Sequence, residues 1–228
     1  MTKAKNTKQD NLTEIESALT KTEQFIEKNQ KIMSIIAGAA ILIVAGFIGF
    51  KHFYIQPKEK SAQEQMFMAE FYFEKDSFNL AINGDGNYLG FLDIIDDFGM
   101  TKSAKLAKYY TGISYLHLGE YEEALSYLND FKTKDLHLAP TLEGAKGDAY
   151  AELEQNDKAL SAYKKAAAYD NKLTAPNYLM KIGKLLEKTQ KYDEALKVLQ
   201  EIKDKYPQSM EVNSAERYIG KIEMLKSK

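Results

Sequence analysis

The most prominent feature of the chain is an uninterrupted apolar stretch at residues 32–50. This stretch carries no charge, and Ser34 is its only strongly polar side chain. As a helix it would be about 28 Å long, which is close to the hydrocarbon thickness of a bilayer. A core helix of a soluble protein usually keeps a polar stripe, and this stretch has none. The pattern therefore predicts a transmembrane helix.

A cleaved signal peptide is a second interpretation of such a stretch. Here a long polar leader precedes it, and the residues between Phe50 and Pro57 contain no small-x-small cleavage site. We therefore expect an uncleaved anchor. Lysines lie close to both of its ends, among them Lys31 and Lys51. The number of positive charges is therefore nearly the same on the two sides, and the positive-inside rule does not orient the helix.

The segment before the apolar stretch has two parts. Residues 1–11 are polar and lysine-rich without periodicity, which predicts a disordered tail. In residues 12–31, Leu12, Ile15 and Leu19 recur at helical spacing, which predicts an amphipathic helix. That helix lies on the membrane surface, continues into the span, or offers a contact face to a partner. The pattern leaves these alternatives open.

After Pro57 the pattern becomes that of a soluble helical domain. Residues 51–104 are expected to form a membrane-proximal helix at 58–75 and a shorter helix that begins near Tyr88 and ends near Gly99. The turn-forming residues at 83–86 separate the two helices.

From about residue 105 the chain repeats itself three times. Each copy has a glycine in its first half and an alanine in its second half. The glycines are Gly112, Gly147 and Gly183, and the alanines are Ala124, Ala159 and Ala195. The alanines are 35 and 36 residues apart (159 − 124 and 195 − 159). Small residues at these positions allow two helices to cross at about 8–10 Å.

This pattern resembles the tetratricopeptide-repeat family, although the family's usual tryptophan is absent and Asn156 replaces the usual tyrosine of the second copy. The resemblance implies an all-α fold, with a single transmembrane helix followed by a solenoid of antiparallel helical hairpins. Three repeats would occupy 105–209, and the helices before them would form a degenerate hairpin. A capping helix at 210–228 would cover the end of the stack with an apolar face: Val212, Ala215, Ile219, Ile222, and Met224 or Leu225.

Composition argues against most kinds of chemical site. The chain has no cysteine, its three histidines are scattered, and its net charge is −2 without a basic block, so thiolate chemistry, zinc sites and nucleic-acid binding are not expected. A calcium-like run at Asn83, Asp85 and Asn87 fails at Tyr88 and Ile94, where a glycine and a glutamate are required. We expect no catalytic residue, metal, cofactor or small-molecule substrate, and a protein-binding role rather than an enzyme.

The resemblance also implies a binding groove lined by the first helix of each hairpin. Its predicted partner-binding residues are Leu106, Tyr109, Ile113, Leu116, Asp148, Met180 and Lys184. The lysine–asparagine clamp of chaperone-binding family members is absent, so an extended segment or a helix of a partner is expected instead. In the alternative interpretation, Tyr109, Ile113 and Leu116 pack on the hairpin at 58–99.

The order and size of these parts resemble the YfgM-type ancillary subunits of the bacterial Sec translocon. That resemblance implies an inner-membrane protein with a cytoplasmic N-terminus and a periplasmic repeat domain. It also implies a co-chaperone or scaffold role in protein export, with a SecYEG-type channel, a PpiD-type chaperone and exported clients as partners. A tether for another envelope assembly or a cell-division complex is the alternative.

Overall fold

The structure is a computed structural model that describes residues 28–169 and 171–227. It divides into two compact units, Met1–Pro57 and Lys58–Lys228, which are described separately. All regular structure in the described residues is helical, so the predicted all-α fold is confirmed. The predicted tail at 1–11 and the predicted amphipathic helix up to residue 27 lie outside the described residues.

The apolar stretch is helical. Helix α1 occupies residues 28–50, and the helix continues through a π-helical turn at Lys51–Ile55 as far as Glu74. In that turn the N–H of Gln56 donates to the carbonyl of Lys51, five residues earlier. Pro57 follows, and because proline has no N–H and its ring crowds the carbonyl four residues before it, a wider turn at this point is physically expected.

The second unit is a succession of helices joined by short connections. They are α2 (Gln56–Glu74), α3 (Phe78–Asn83), α4 (Phe91–Asp97), α5 (Lys102–Leu118), α6 (Tyr121–Asp130), α7 (Leu138–Glu152), α8 (Asn156–Ala167), α9 (Ala175–Lys188), α10 (Tyr192–Lys205) and α11 (Val212–Lys226). Consecutive helices from α5 onward pack on each other, and the pairs α5–α6, α7–α8 and α9–α10 form the three hairpins.

The same turn closes the first helix of every hairpin. Gly119, Glu154 and Gln190 have φ angles of 82°, 57° and 59°, and the next residue donates its N–H to a carbonyl five residues earlier in each case. Only the first turn uses glycine, the residue that adopts a left-handed conformation without a steric penalty. The repetition of backbone geometry is therefore more regular than the repetition of sequence.

The marker glycines lie at the closest helix crossings. A Cβ atom at Gly112 or Gly183 would come within 2.7 Å or 2.6 Å of a leucine side chain on the second helix of the same hairpin. At Gly147 it would come within 2.4 Å of the Tyr163 ring. The marker alanines are fully buried on the opposing helices. Packing at van der Waals distance thus explains the spacing of small residues in the sequence.

The segment before the first hairpin differs from its prediction. The structure adds the short helix α3, because Asp76 takes a left-handed φ of 53° and helix α2 ends at Glu74. The following helix begins at Phe91 rather than near Tyr88. Phe91 is fully buried and stacks on Tyr110 of α5, with ring centroids 5.2 Å apart. This aromatic contact joins α4 to the repeats.

Glu59 of α2 makes a long-range cap on the first hairpin. Its carboxylate accepts hydrogen bonds from the N–H of Lys102, the N–H of Ser103 and the Ser103 hydroxyl, at 2.5 Å, 3.2 Å and 2.7 Å. Burial raises the pKa of Glu59, but these hydrogen bonds outweigh burial and hold its pKa below the ordinary value. The charged side chain therefore fastens α2 to the start of α5.

Helix α11 packs on the last hairpin. Ala215 and Ile222 are fully buried in the core cluster that also contains Leu199 of α10. Met224 and Leu225, one of which we expected in this contact, are both exposed. The buried face of α11 therefore ends at Ile222.

Candidate protein-binding surface

The first helices of the hairpins lie side by side along the array. The Tyr109 hydroxyl of α5 is 3.5 Å from the Thr141 hydroxyl of α7. Lys181 of α9 pairs with Asp148 of α7. Further along, α9 and α11 are also in contact. Together these four helices form the surface on which the predicted groove residues lie.

The predicted groove residues of α5 separate into two clusters. Leu106 packs against the cluster formed by α2, α3 and α4. Tyr109, Ile113 and Leu116 pack against a different cluster, which contains Phe131 at the end of α6 and Leu142 of α7. The alternative in which these three side chains pack on the hairpin at 58–99 is therefore wrong, because their apolar partners lie on α6 of the same hairpin and on α7 of the next.

Asp148, in the middle of the surface, is held in a hydrogen-bond network. Its carboxylate accepts from Lys181 Nζ at 2.5 Å and 2.7 Å and from the Tyr163 hydroxyl at 2.8 Å. The Lys181 ammonium also lies 5.6 Å from the centre of the Tyr163 ring. Side chains of two helices, α8 and α9, therefore bind one carboxylate of α7. The negative charge of Asp148 is balanced by the Lys181 ammonium.

Two tyrosines beneath this network are kept protonated. Burial, and then the charge of Asp148, raise the pKa of Tyr163 well above its ordinary range. The same two causes raise the pKa of Tyr178, whose ring lies against Gly144, to about 12. Both phenols are therefore protonated packing groups at neutral pH, of the two only Tyr163 donates a hydrogen bond to Asp148, and neither phenol is suited to proton abstraction.

The two predicted residues of α9 differ in exposure. Met180 is only 5% exposed and belongs to the C-terminal core. Lys184 lies 5.6 Å from the ring centre of Tyr218, and Glu187 pairs with Lys221 at 2.9 Å. Of the two predicted residues, Lys184 remains exposed at the surface, whereas Met180 contributes to packing.

Two of the predicted partner-binding residues line one cavity of about 360 Å³. Asp148 and Lys184 both line it, together with Tyr163, Lys181, Glu152 and Lys188 among others. Charges of both signs therefore surround a polar depression between α7, α8 and α9. This arrangement is suited to charged or polar side chains of a partner, with Ala151 and Leu185 supplying apolar contact.

Sequence reasoning missed Tyr163 and Lys181. Tyr163 is on the second helix of its hairpin, where the family pattern places packing residues, so nothing marked it as a partner of Asp148. Lys181 is 33 residues after Asp148, close to one repeat, and that spacing is the signal that could have found the pair. Within the described residues, no group of three or more histidine, aspartate or glutamate side chains is placed to hold a metal ion.

Comparison with known proteins agrees with this architecture. Two tetratricopeptide-repeat family models match residues 106–135 and 145–209. The chain is also similar to a crystal structure of nearly identical TPR-like repeats of a kinesin light chain from Podosopora anserina. The TM-score is 0.57 at 11% sequence identity, over 74% of this chain and 88% of that chain. No curated protein sequence matches.

The structural likeness shows the fold alone, whereas the family matches rest on the sequence itself and fall on the hairpins described above. Proteins with such repeats are generally scaffolds for other proteins. The hairpins of the second unit are therefore TPR-like helical repeats, and residues 106–135 and 145–209 match tetratricopeptide-repeat models.

Proposed function

We propose that this protein is a membrane-anchored scaffold that binds other proteins through its tetratricopeptide repeats. The observation that carries the proposal is the combination of the repeat array with an apolar helix in one chain. The exposed, mixed-charge cavity around Asp148 and Lys184 is the surface that we assign to the partner.

The anchor is supported by the length and composition of the apolar helix. Lys28–Glu74 is the one helix in the described part of the chain that is long and apolar enough to cross a membrane, and none of its apolar stretch is buried. A signal sequence has the same properties. The mass of the mature protein, measured in both the membrane pellet and the supernatant of a carbonate extraction, separates the two. Retention of the apolar stretch supports an anchor, and its removal refutes one.

We further propose that the scaffold works at the bacterial Sec translocon, in the inner membrane. The N-terminus would be cytoplasmic and the repeat domain periplasmic. A SecYEG-type channel, a PpiD-type chaperone and exported clients would be its partners. The support is the order and size of the parts, namely a short polar segment, an apolar helix and a repeat domain.

Orientation is tested with single cysteines, because the chain has none of its own. Variants with Lys3→Cys or Gln155→Cys are exposed to a membrane-impermeant maleimide in cells whose outer membrane is permeable. Labelling at 155 alone supports the proposed orientation. Labelling at 3 alone refutes it.

Partners are tested by affinity purification after gentle solubilisation. The tagged protein is expected to recover Sec components and a PpiD-type chaperone. Lys184→Glu reverses a charge at the cavity and should weaken recovery, whereas Lys197→Glu, an exposed position on α10, should not. Recovery of cell-division or outer-membrane assembly factors instead would support the alternative tether. Equal recovery by both variants would exclude the cavity as the binding surface.

A further inference from the structure

A row of exposed apolar side chains follows one edge of the repeat array. Each of the four connections that precede α5, α7, α9 and α11 presents such a side chain two residues before the helix begins. They are Met100, Leu136, Leu173 and Met210, which are 61%, 69%, 84% and 90% exposed. Tyr169, also exposed, lies in the third of these connections. We call these four side chains the apolar edge.

These connections lie on the same side of the array because the first helices of the hairpins run side by side. Lys172, next to Leu173, and the segment 205–209, next to Met210, line one cavity of about 390 Å³. Between residues 102 and 211, every large apolar side chain that is exposed in the described structure lies in these connections. The opposite edge consists of the polar turns at 119–120, 154–155 and 190–191.

The two edges also differ in charge. The second helices of the hairpins begin at the opposite edge, and each has an acidic residue in its first turn. The first turns of α5, α7, α9 and α11, at the apolar edge, contain no acidic residue. Acidic residues are favourable at helix starts, and the second helices supply their own, whereas Glu59 of α2 caps the start of α5 and Glu211 directly precedes α11.

Lysines flank the apolar edge. Those without an ion pair to any other described residue are Lys102, Lys132, Lys134 and Lys172. Acidic side chains at this edge are engaged locally. The Asp135 carboxylate accepts the N–H groups of His137 and Leu138, and Asp204 accepts from Gln200. Four lysines at the apolar edge are therefore without an ion pair to a described residue, and the carboxylates of Asp135, Asp204 and Glu211 also lie there.

We propose that the apolar edge docks on an anionic phospholipid bilayer. Single Leu and Met side chains on separate connections do not form a pocket for a peptide, but they suit insertion at the boundary between headgroups and acyl chains. The adjacent lysines complement anionic headgroups, and the acidic opposite edge faces away. The inference rests on the proposed anchor, which holds the domain near the membrane and makes weak insertion effective.

The test uses tryptophan fluorescence, because the chain contains no tryptophan. Full-length Leu173→Trp and Met210→Trp variants are reconstituted into vesicles of phosphatidylcholine and phosphatidylglycerol whose acyl chains carry bromine. Gln155→Trp, at the opposite edge, is the matched control. We expect quenching several-fold stronger at positions 173 and 210 than at 155, and weaker quenching in vesicles of phosphatidylcholine alone.

A second set of variants tests whether the edge acts as a unit. Leu136→Trp serves as the reporter, and Leu173→Glu with Met210→Glu places two charges on the same edge. Because these positions are highly exposed, the fold should be retained, as circular dichroism will show. We expect the two glutamates to abolish quenching at position 136. Undiminished quenching would overturn the proposal.

The remaining outcomes distinguish the inference from the proposed function. If the chain floats with the vesicles but positions 173 and 210 are not quenched, the anchor stands and the docking is overturned. If the chain does not float, both fail. Equal quenching in neutral and anionic vesicles overturns the requirement for anionic lipid. Emission that shifts with protein concentration in detergent, without quenching by lipid, assigns the edge to a second copy of the chain and overturns the proposal.

Discussion

Replacing Gly147 by alanine tests whether the helix crossings of the array depend on the absence of a side chain. Alanine is normally the better helix former, by about 1 kcal/mol. At this position, however, the new Cβ would lie 2.4 Å and 2.5 Å from Cε1 and Cδ1 of Tyr163. Ordinary contact begins near 3.4 Å, so the ring would have to move by about 1.0 Å (3.4 − 2.4).

The Tyr163 ring has little freedom to make this movement. It is 4% exposed, its hydroxyl donates to Asp148 at 2.8 Å, and the Lys181 ammonium lies against its face. Overpacking costs about 1–3 kcal/mol, and disturbing the hydrogen bond adds about 1 kcal/mol. After subtraction of the gain in helix propensity, we expect Gly147→Ala to lower the free energy of unfolding by about 2 kcal/mol.

The assay is thermal unfolding of the full chain in detergent, followed by circular dichroism. For a chain of this size a loss of about 2 kcal/mol corresponds to a Tm lower by about 4–8 °C. Gly220→Ala is the control, because a Cβ there meets nothing within 4 Å and only the propensity gain of about 1 kcal/mol remains. In a Tyr163→Leu background, Gly147→Ala should cost less. A Gly147→Ala variant as stable as the wild type would refute the reasoning.

Three further outcomes are expected. Glu59→Gln should destabilise the protein by about 1 kcal/mol at neutral pH, because it weakens the cap on α5. The pKa of Glu59 is held below its ordinary value of 4.5, so its contribution is present above that pH and is lost as the pH falls through the lowered pKa. The difference between wild type and variant should therefore shrink in acid denaturation curves. Lys181→Met should cost about 1 kcal/mol in urea unfolding, since Asp148 loses its cation at a site where both side chains are about one-third exposed, and adding Asp148→Asn should recover part of that loss. Leu199→Ala should cost about 3 kcal/mol, because the side chain is fully buried. By contrast, Leu173→Ala should change the Tm in detergent very little, and equal effects of the two leucine substitutions would contradict the assigned burial.

Part of the candidate surface followed from sequence alone. The glycine and alanine markers located the three hairpins, because close packing of helices tolerates only small residues at their crossings. Periodicity then placed Asp148 and Lys184 on the first helices of neighbouring hairpins, and the structure brings both to one cavity. Their shared cavity depends only on the face of each helix, which its period determines, and their role in partner binding stays a prediction.

Sequence predictions were wrong where they depended on which other helix a side chain contacts. The sequence left Ile113 either in the groove or packed on the hairpin at 58–99, and in the structure it packs against residues of α6 and α7. It likewise placed Met180 in the groove, where the packing of the last hairpin buries it. The Asp148–Lys181 pair joins different hairpins, and a contact of that kind depends on how hairpins stack.

The sequence by itself determined the apolar helix, the all-α class and the count of repeats, since each of these depends on composition or on a short period along the chain. Only the tertiary structure decided which groove positions are exposed, that Glu59 caps a helix 43 residues away, and that four separate connections share one apolar edge. The physical reason is that these properties come from contacts between segments distant in sequence, and local pattern carries no information about which segments meet.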